Sequence, residues 1–182
     1  MLRYIFIKEP IEMKNYTLNL ILLVLITFSC HAQDTSLLDE KAGYKDFKIG
    51  QSITSWEDKT TKSLREKTEY IMKDAKPYEV DNQKIDKVIL KVSKDDFDTI
   101  ESISLMFEEG ISSRSPRYNF YHKLVSDAFG EPSEKSSGVS HWNGEKVKLT
   151  SASVAGIGFL MFKKIYSEEE NKRKSLKALD KF

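Results

Sequence analysis

Apolar and polar positions change their period along this chain, and the changes mark out its elements. Residues 18–28 (LNLILLVLITF) are apolar apart from Asn19 and Thr27. That run is about half the ~20 residues a membrane-spanning helix needs. Residues 33–44 are polar without a strong period, which predicts a tether or a loose first turn. Phe47 and Ile49 alternate with polar neighbours as a short strand. Thr54-Ser55-Trp56-Glu57 sets a hydroxyl at a cap and a carboxylate three residues on, which predicts a helix reaching residue 66. Residues 69–73 read as a strand closed by Lys76-Pro77, and Asp81-Asn82-Gln83 as a turn. Residues 85–92 (IDKVILKV) are short and β-branched, hence a strand. From 99 to 107, Ile103, Leu105 and Phe107 alternate with Ser102, Ser104 and Met106, the pattern of a half-buried strand.

The clearest helix follows. Ser115 suits the N-cap and Pro116 the first helical position. Tyr118, Tyr121, Leu124, Val125, Ala128 and Phe129 form one stripe at helical spacing, and Gly130 with Pro132 stops it. After a polar linker at 133–138, strands are predicted at 139–142, 146–151 and 159–163. Asn143-Gly144 reads as a two-residue hairpin turn with positive φ at both positions. Gly156-Ile157-Gly158 makes another turn. Residues 167–182 read as a solvated helix with Leu176 and Leu179 as weak anchors.

The order β, α, three strands, α, three strands predicts an α+β domain over residues 45–166. Its sheet is mostly antiparallel and its helices pack on one face, with a charged C-terminal tail at 167–182. The two helix–three-strand units raise an internal duplication, although residue identity between them is poor.

The length of 182 residues fits one domain or two very small ones. Lys and Arg total 29 against 28 Asp and Glu, and beyond residue 32 the two signs balance. This gives no footprint for nucleic acid. A single cysteine excludes an intramolecular disulfide framework and a multi-cysteine zinc site.

Lys14 before the apolar run and small or polar residues after it make residues 1–32 read as a secretory signal, with Met13 an alternative start to Met1. Two cleavage sites compete. Ser29-Cys30 matches the end of a bacterial lipobox, from which Thr27 and Phe28 depart. Cys30-His31-Ala32 imitates A-x-A, with cleavage after Ala32. The position of the only cysteine directly after the run favours lipidation of Cys30, which anchors a domain to a membrane without a spanning helix. Expected locations are the periplasm or outer membrane as a lipoprotein, otherwise soluble in the periplasm or secreted.

Phe129-Gly130-Glu131-Pro132, followed ten positions on by Trp142, resembles a pattern in small bacterial envelope proteins. There a hydrophobic-Gly-x-Pro stop ends a helix and an antiparallel hairpin with an early Trp follows. The outer-membrane assembly small lipoproteins (SmpA-like) and the β-lactamase-inhibitor-protein-like fold look like this. The likeness spans residues 118–163, about a quarter of the chain. It implies a non-catalytic envelope binding or adaptor module with an envelope protein partner.

Candidate chemistry is sparse. His122 and His141 lack H-x-x-x-H or H-x-H spacing, and a metal site on either would need Glu145 or Asp127. Asp95, Asp96, Asp98 and Glu101 carry calcium-type ligands without EF-hand spacing, so a solvated turn is favoured. Ser140, His122 and Asp127 supply the residue types of a triad but no G-x-S-x-G elbow accompanies them. Gly156-x-Gly158 lacks the third glycine of a dinucleotide loop. No catalytic, cofactor or metal residue is therefore assigned. Core packing is the favoured reading of the aromatic residues; Phe120, which lies off the helix stripe, and Trp142, which adjoins a turn, are the two set against it as partner contacts. The alternative reading is an exported small-ligand or metal-binding protein, or a hydrolase, using His122 or His141.

Overall fold

The alternation at residues 99–107 becomes the central strand of a computed structural model that describes residues 35–108, 116–154 and 156–179. These fall within one unit, residues 33–182. Cys30, the signal segment and Ser115 lie outside the described residues. A small hairpin, β1 (Gly43–Tyr44) with β2 (Phe47–Lys48), precedes the main sheet. The main strands are β3 (Thr60–Lys62), β4 (Glu69–Met72), β5 (Lys87–Val92), β6 (Ile100–Glu108), β7 (Glu134–Ser136), β8 (Val139–Asn143), β9 (Val147–Val154) and β10 (Ile157–Lys164). They form an eight-stranded sheet in the order β3-β4-β5-β6-β10-β9-β8-β7, antiparallel throughout. Two four-stranded meanders therefore meet where β6 pairs with β10. With helices α1 (Thr35–Lys41), α2 (Pro116–Phe129) and α3 (Glu168–Leu179), the chain is α+β with an antiparallel sheet.

One sheet face holds the core. Val88, Leu90, Ile103, Leu105, Phe107, Leu149 and Leu160 are buried on it, and α2 covers them with Tyr121, Val125 and Phe129. Tyr121 stacks on Phe107 with ring centroids 4.7 Å apart. A Cβ at Gly158 would lie 2.9 Å from Tyr118 Cβ, so this glycine sets how closely α2 approaches β10. The Tyr121 hydroxyl donates to Gln83 O (2.6 Å) and accepts from Val80 N (3.1 Å). It thereby fixes the turn at Asp81 and Asn82, whose φ values of 50° and 59° are those of a two-residue hairpin turn. Leu124 belongs to the helical stripe by spacing but is 37 % exposed.

Four sequence expectations change. Residues 33–44 are not a tether from Thr35 onward: α1 buries Leu38, and the Asp39 carboxylate accepts from Glu145 N (2.6 Å), Lys146 N (2.8 Å) and Val147 N (3.0 Å). The expected helix at 54–66 is a 3-10 helix, Ile53–Lys59, whose cap is Ser52 and which turns into strand β3 at Thr60. Its thin apolar face, Ile53 and Trp56, supports no further helical turn. The linker at 133–138 contains edge strand β7. The hairpin after Asn143 exists, but not by positive φ: Asn143 ends β8, Gly144 is not among the positive-φ glycines, and its missing Cβ makes room for Asp39 Oδ1, which would lie 2.5 Å from it.

The tail carries α3. Ser167 and Glu170 cap it reciprocally: Glu170 N donates to Ser167 Oγ (3.2 Å) and Ser167 N to Glu170 Oε2 (2.9 Å). Leu176 is 55 % exposed.

Candidate binding surface

The residues singled out for chemistry are held by structural partners. Trp142 lies in the core, wholly buried, with its indole N–H donating to Gly130 O (2.8 Å). It joins the end of α2 to β8 and is not available for partner contact. Outward and inward positions alternate along β8, and the even ones point to α2. Phe120 is half-buried, set edge-on to Tyr121 with centroids 5.3 Å apart.

His122 shares a hydrogen bond with Ser151 Oγ (2.9 Å), and Ser151 donates to the Tyr118 hydroxyl (3.0 Å). The serine that meets His122 is therefore the fully buried Ser151 rather than Ser140. Burial lowers the His122 pKa below its ordinary value and Lys135 adds to the effect, while Glu131 opposes it. Asp127 pairs instead with Lys123 (2.6 Å). His141 bonds Thr150 Oγ1 across the strand pair (3.0 Å). Glu145 lies in the turn that Asp39 caps.

Asp96 accepts from Asp98 N, Thr99 N and Thr99 Oγ1, and these bonds hold its carboxyl below the usual range. Asp98 accepts from Ser52 Oγ. Lys174 Nζ lies 3.2 Å from Glu101 and 3.7 Å from Asp95. The acidic set thus closes a turn and pairs with a lysine. Among the described residues no three His, Cys, Asp or Glu side chains group as a metal site.

The other sheet face carries a graded surface that the search for chemical motifs missed. At one end Met106 pairs with Phe159, Phe159 with Ala152 and Ala152 with Val139, an unbroken apolar row across β6, β10, β9 and β8 in which Ala152 is buried and the other three are half-buried. Ile157 and Val154, directly paired beside this row, are 41 % and 58 % exposed. The middle row is mixed: Ile89, Ser104, Met161, Thr150 and His141. The far row is basic: Lys91 pairs with Ser102, Ser102 with Lys163, and Lys163 with Lys148. The signal was present in the strands: Met106, Phe159 and Met161 occupy outward positions that a solvated sheet fills with polar residues.

Comparison with known proteins gives no match: neither a family model, nor a curated protein, nor a solved structure is similar to this chain. Its surface must therefore be read on its own chemistry. A groove of about 520 Å³ opens at the basic end, between Lys91, Lys94, Met161, Lys163, Tyr166 and Lys174. Burial, with the Glu101 carboxylate nearby, pushes the Tyr166 phenol up from its usual pKa. Lys174 Nζ sits 3.6 Å from the centroid of the Tyr166 ring.

Proposed function

We propose that this chain is an exported, non-catalytic binding or adaptor module of the bacterial cell envelope, held to a membrane by a lipid on Cys30. A protein partner docks on the apolar end of the open sheet face. The observation that carries this reading is the row Met106–Phe159–Ala152–Val139 with Ile157 and Val154 beside it. An apolar row on a sheet face opposite the core is the usual mark of an interaction surface. The complementary partner presents apolar side chains. The likeness of Phe129-Gly130-Glu131-Pro132 and Trp142 to small envelope lipoproteins points the same way.

Catalysis by His122 or His141 is the weaker reading. Each imidazole bonds a neighbouring hydroxyl within the fold, and His122 meets a serine that has no exposed surface.

The test is affinity capture of the full chain, Cys30 intact, from its native envelope, beside the same chain carrying Val154→Glu. A stoichiometric protein retained by the first and lost by the second, with circular dichroism unchanged, supports the reading. Equal retention by both removes the sheet face from it. A chain that runs in the aqueous fraction on detergent phase partition would dismiss the lipid anchor.

A further inference from the structure

The basic end of the open face has a charge ledger that does not balance. Every carboxylate lining the groove and its margin is engaged: Asp95 and Glu101 with Lys174, Asp96 in its own turn, Glu170 with Lys164. Lys91 lies near Glu66 and Glu69, at 3.7 Å and 3.9 Å. Lys94 and Lys163 are exposed, line the groove and form no close ion pair among the described residues; the Lys94 charge reaches only Glu66, at longer range. Lys163 moreover faces Lys148 directly across the β9–β10 pair. Like charges in directly opposite positions destabilise a sheet, so the fold gains nothing from this placement. The groove floor is apolar, with Met161 and Val92, and its wall carries Tyr166, whose ring lies beneath the Lys174 ammonium. Its size is that of a small-molecule site.

We propose that this groove binds a small amphipathic anion, a carboxylate or phosphate borne on an apolar body. The ammonium groups of Lys94 and Lys163 hold the anion, and Met161 contacts the body. An anion there relieves the repulsion between Lys163 and Lys148. A neutral apolar molecule leaves the two ammonium groups uncompensated, and an inorganic anion leaves Met161 uncovered. The site requires both parts. It is independent of the protein-docking reading, because its residues lie at the opposite end of the face from Val139, Val154 and Ile157.

The methionines supply the measurement. Met161 lines the groove, whereas Met72 is buried on the core face. The full chain, labelled with ¹³C at the methionine methyl groups, is titrated with decanoate below its micellar concentration, and separately with decanol and with inorganic phosphate. Expected is a saturable shift of the Met161 methyl signal with decanoate, a still Met72 signal, and no saturation with decanol or phosphate alone. Dodecyl phosphate in place of decanoate tells which anion the groove prefers. In the double variant Lys94→Gln, Lys163→Gln the midpoint should rise at least about ten-fold, as expected when two charge-assisted contacts are lost. An unshifted Met72 signal shows that the variant is folded. A Met161 signal that does not move, an equal response to decanol, or an unchanged midpoint in the double variant each overturns the proposal.

Discussion

Asp39 and Gly144 offer a sharp test of how the N-terminal helix is tied to the sheet. Three backbone N–H groups of the β8–β9 turn converge on one carboxylate at 2.6, 2.8 and 3.0 Å. Asp39→Ala removes the acceptor of all three. Two of the freed N–H groups face water and rehydrate, while that of Val147 is part-buried. At on the order of 1 kcal/mol for each charge-assisted bond in competition with water, the loss is about 2–3 kcal/mol. For a chain of this size that lowers the melting temperature by about 5–10 °C. Gly144→Ala should cost about 1–3 kcal/mol for a different reason: its new Cβ would lie 2.5 Å from Asp39 Oδ1 and 2.8 Å from Cγ, and overpacking must displace the carboxylate. In the Asp39→Ala background the same alanine meets no carboxylate, and its cost should fall below about 0.5 kcal/mol. Urea unfolding of the four proteins measures the cycle. Simple additivity of the two costs would refute the idea that Gly144 is there to admit Asp39.

Three further outcomes follow from the packing and electrostatics. Trp142→Ala should destabilise the fold by about 3–5 kcal/mol, the range for a buried aromatic side chain; a stable variant in thermal unfolding would return Trp142 to the surface. Tyr121→Phe should cost about 1–2 kcal/mol by removing the bond to Gln83 O and the acceptor of Val80 N, and hydrogen exchange should quicken at Val80; unchanged exchange there would contradict the clamp. The pKa of His122 is lowered in the folded state, so the unfolded chain binds more protons as pH falls through the ordinary imidazole value of 6.5. Stability should therefore drop as pH falls through that value and level off below the folded pKa, and His122→Asn should flatten the slope; equal slopes in the two proteins would argue against His122 as its source.

The antiparallel sheet was legible because its central strands alternate strongly: Ile103, Leu105 and Phe107 could face only one core. Helix α2 was legible from its stripe and its Gly130-x-Pro132 stop. The short edge strands β3 and β7 were not, since three mostly exposed polar residues carry no hydrophobic period and form only by pairing with β4 and β8. Turn chemistry misled in an instructive way. The positive-φ pair sits at Asp81-Asn82, while Asn143-Gly144 owes its glycine to a carboxylate 105 residues earlier in the chain, a contact no local rule contains. The capping-box pattern read at Thr54 gave way to Ser52, whose hydroxyl also donates to Asp98, whereas the reciprocal box lies at Ser167 and Glu170. Between the core and the contact reading of Trp142 the pleat of β8 decides, and it points Trp142 inward. The graded face escaped a search keyed to histidines and carboxylates, because its content is the juxtaposition of rows from strands far apart in sequence.

The proposed function requires a protein partner at the apolar end of the open sheet face. Site-specific photocrosslinking in the intact envelope tests it most directly, with a photoreactive aromatic residue placed at Val154 on that face or at Leu124 on the helical layer. Both positions are exposed, at 58 % and 37 %, so either can be labelled without entering the core. One discrete protein adduct is expected from position 154 and none from position 124. An adduct from 124 alone, or no adduct from 154, would contradict it.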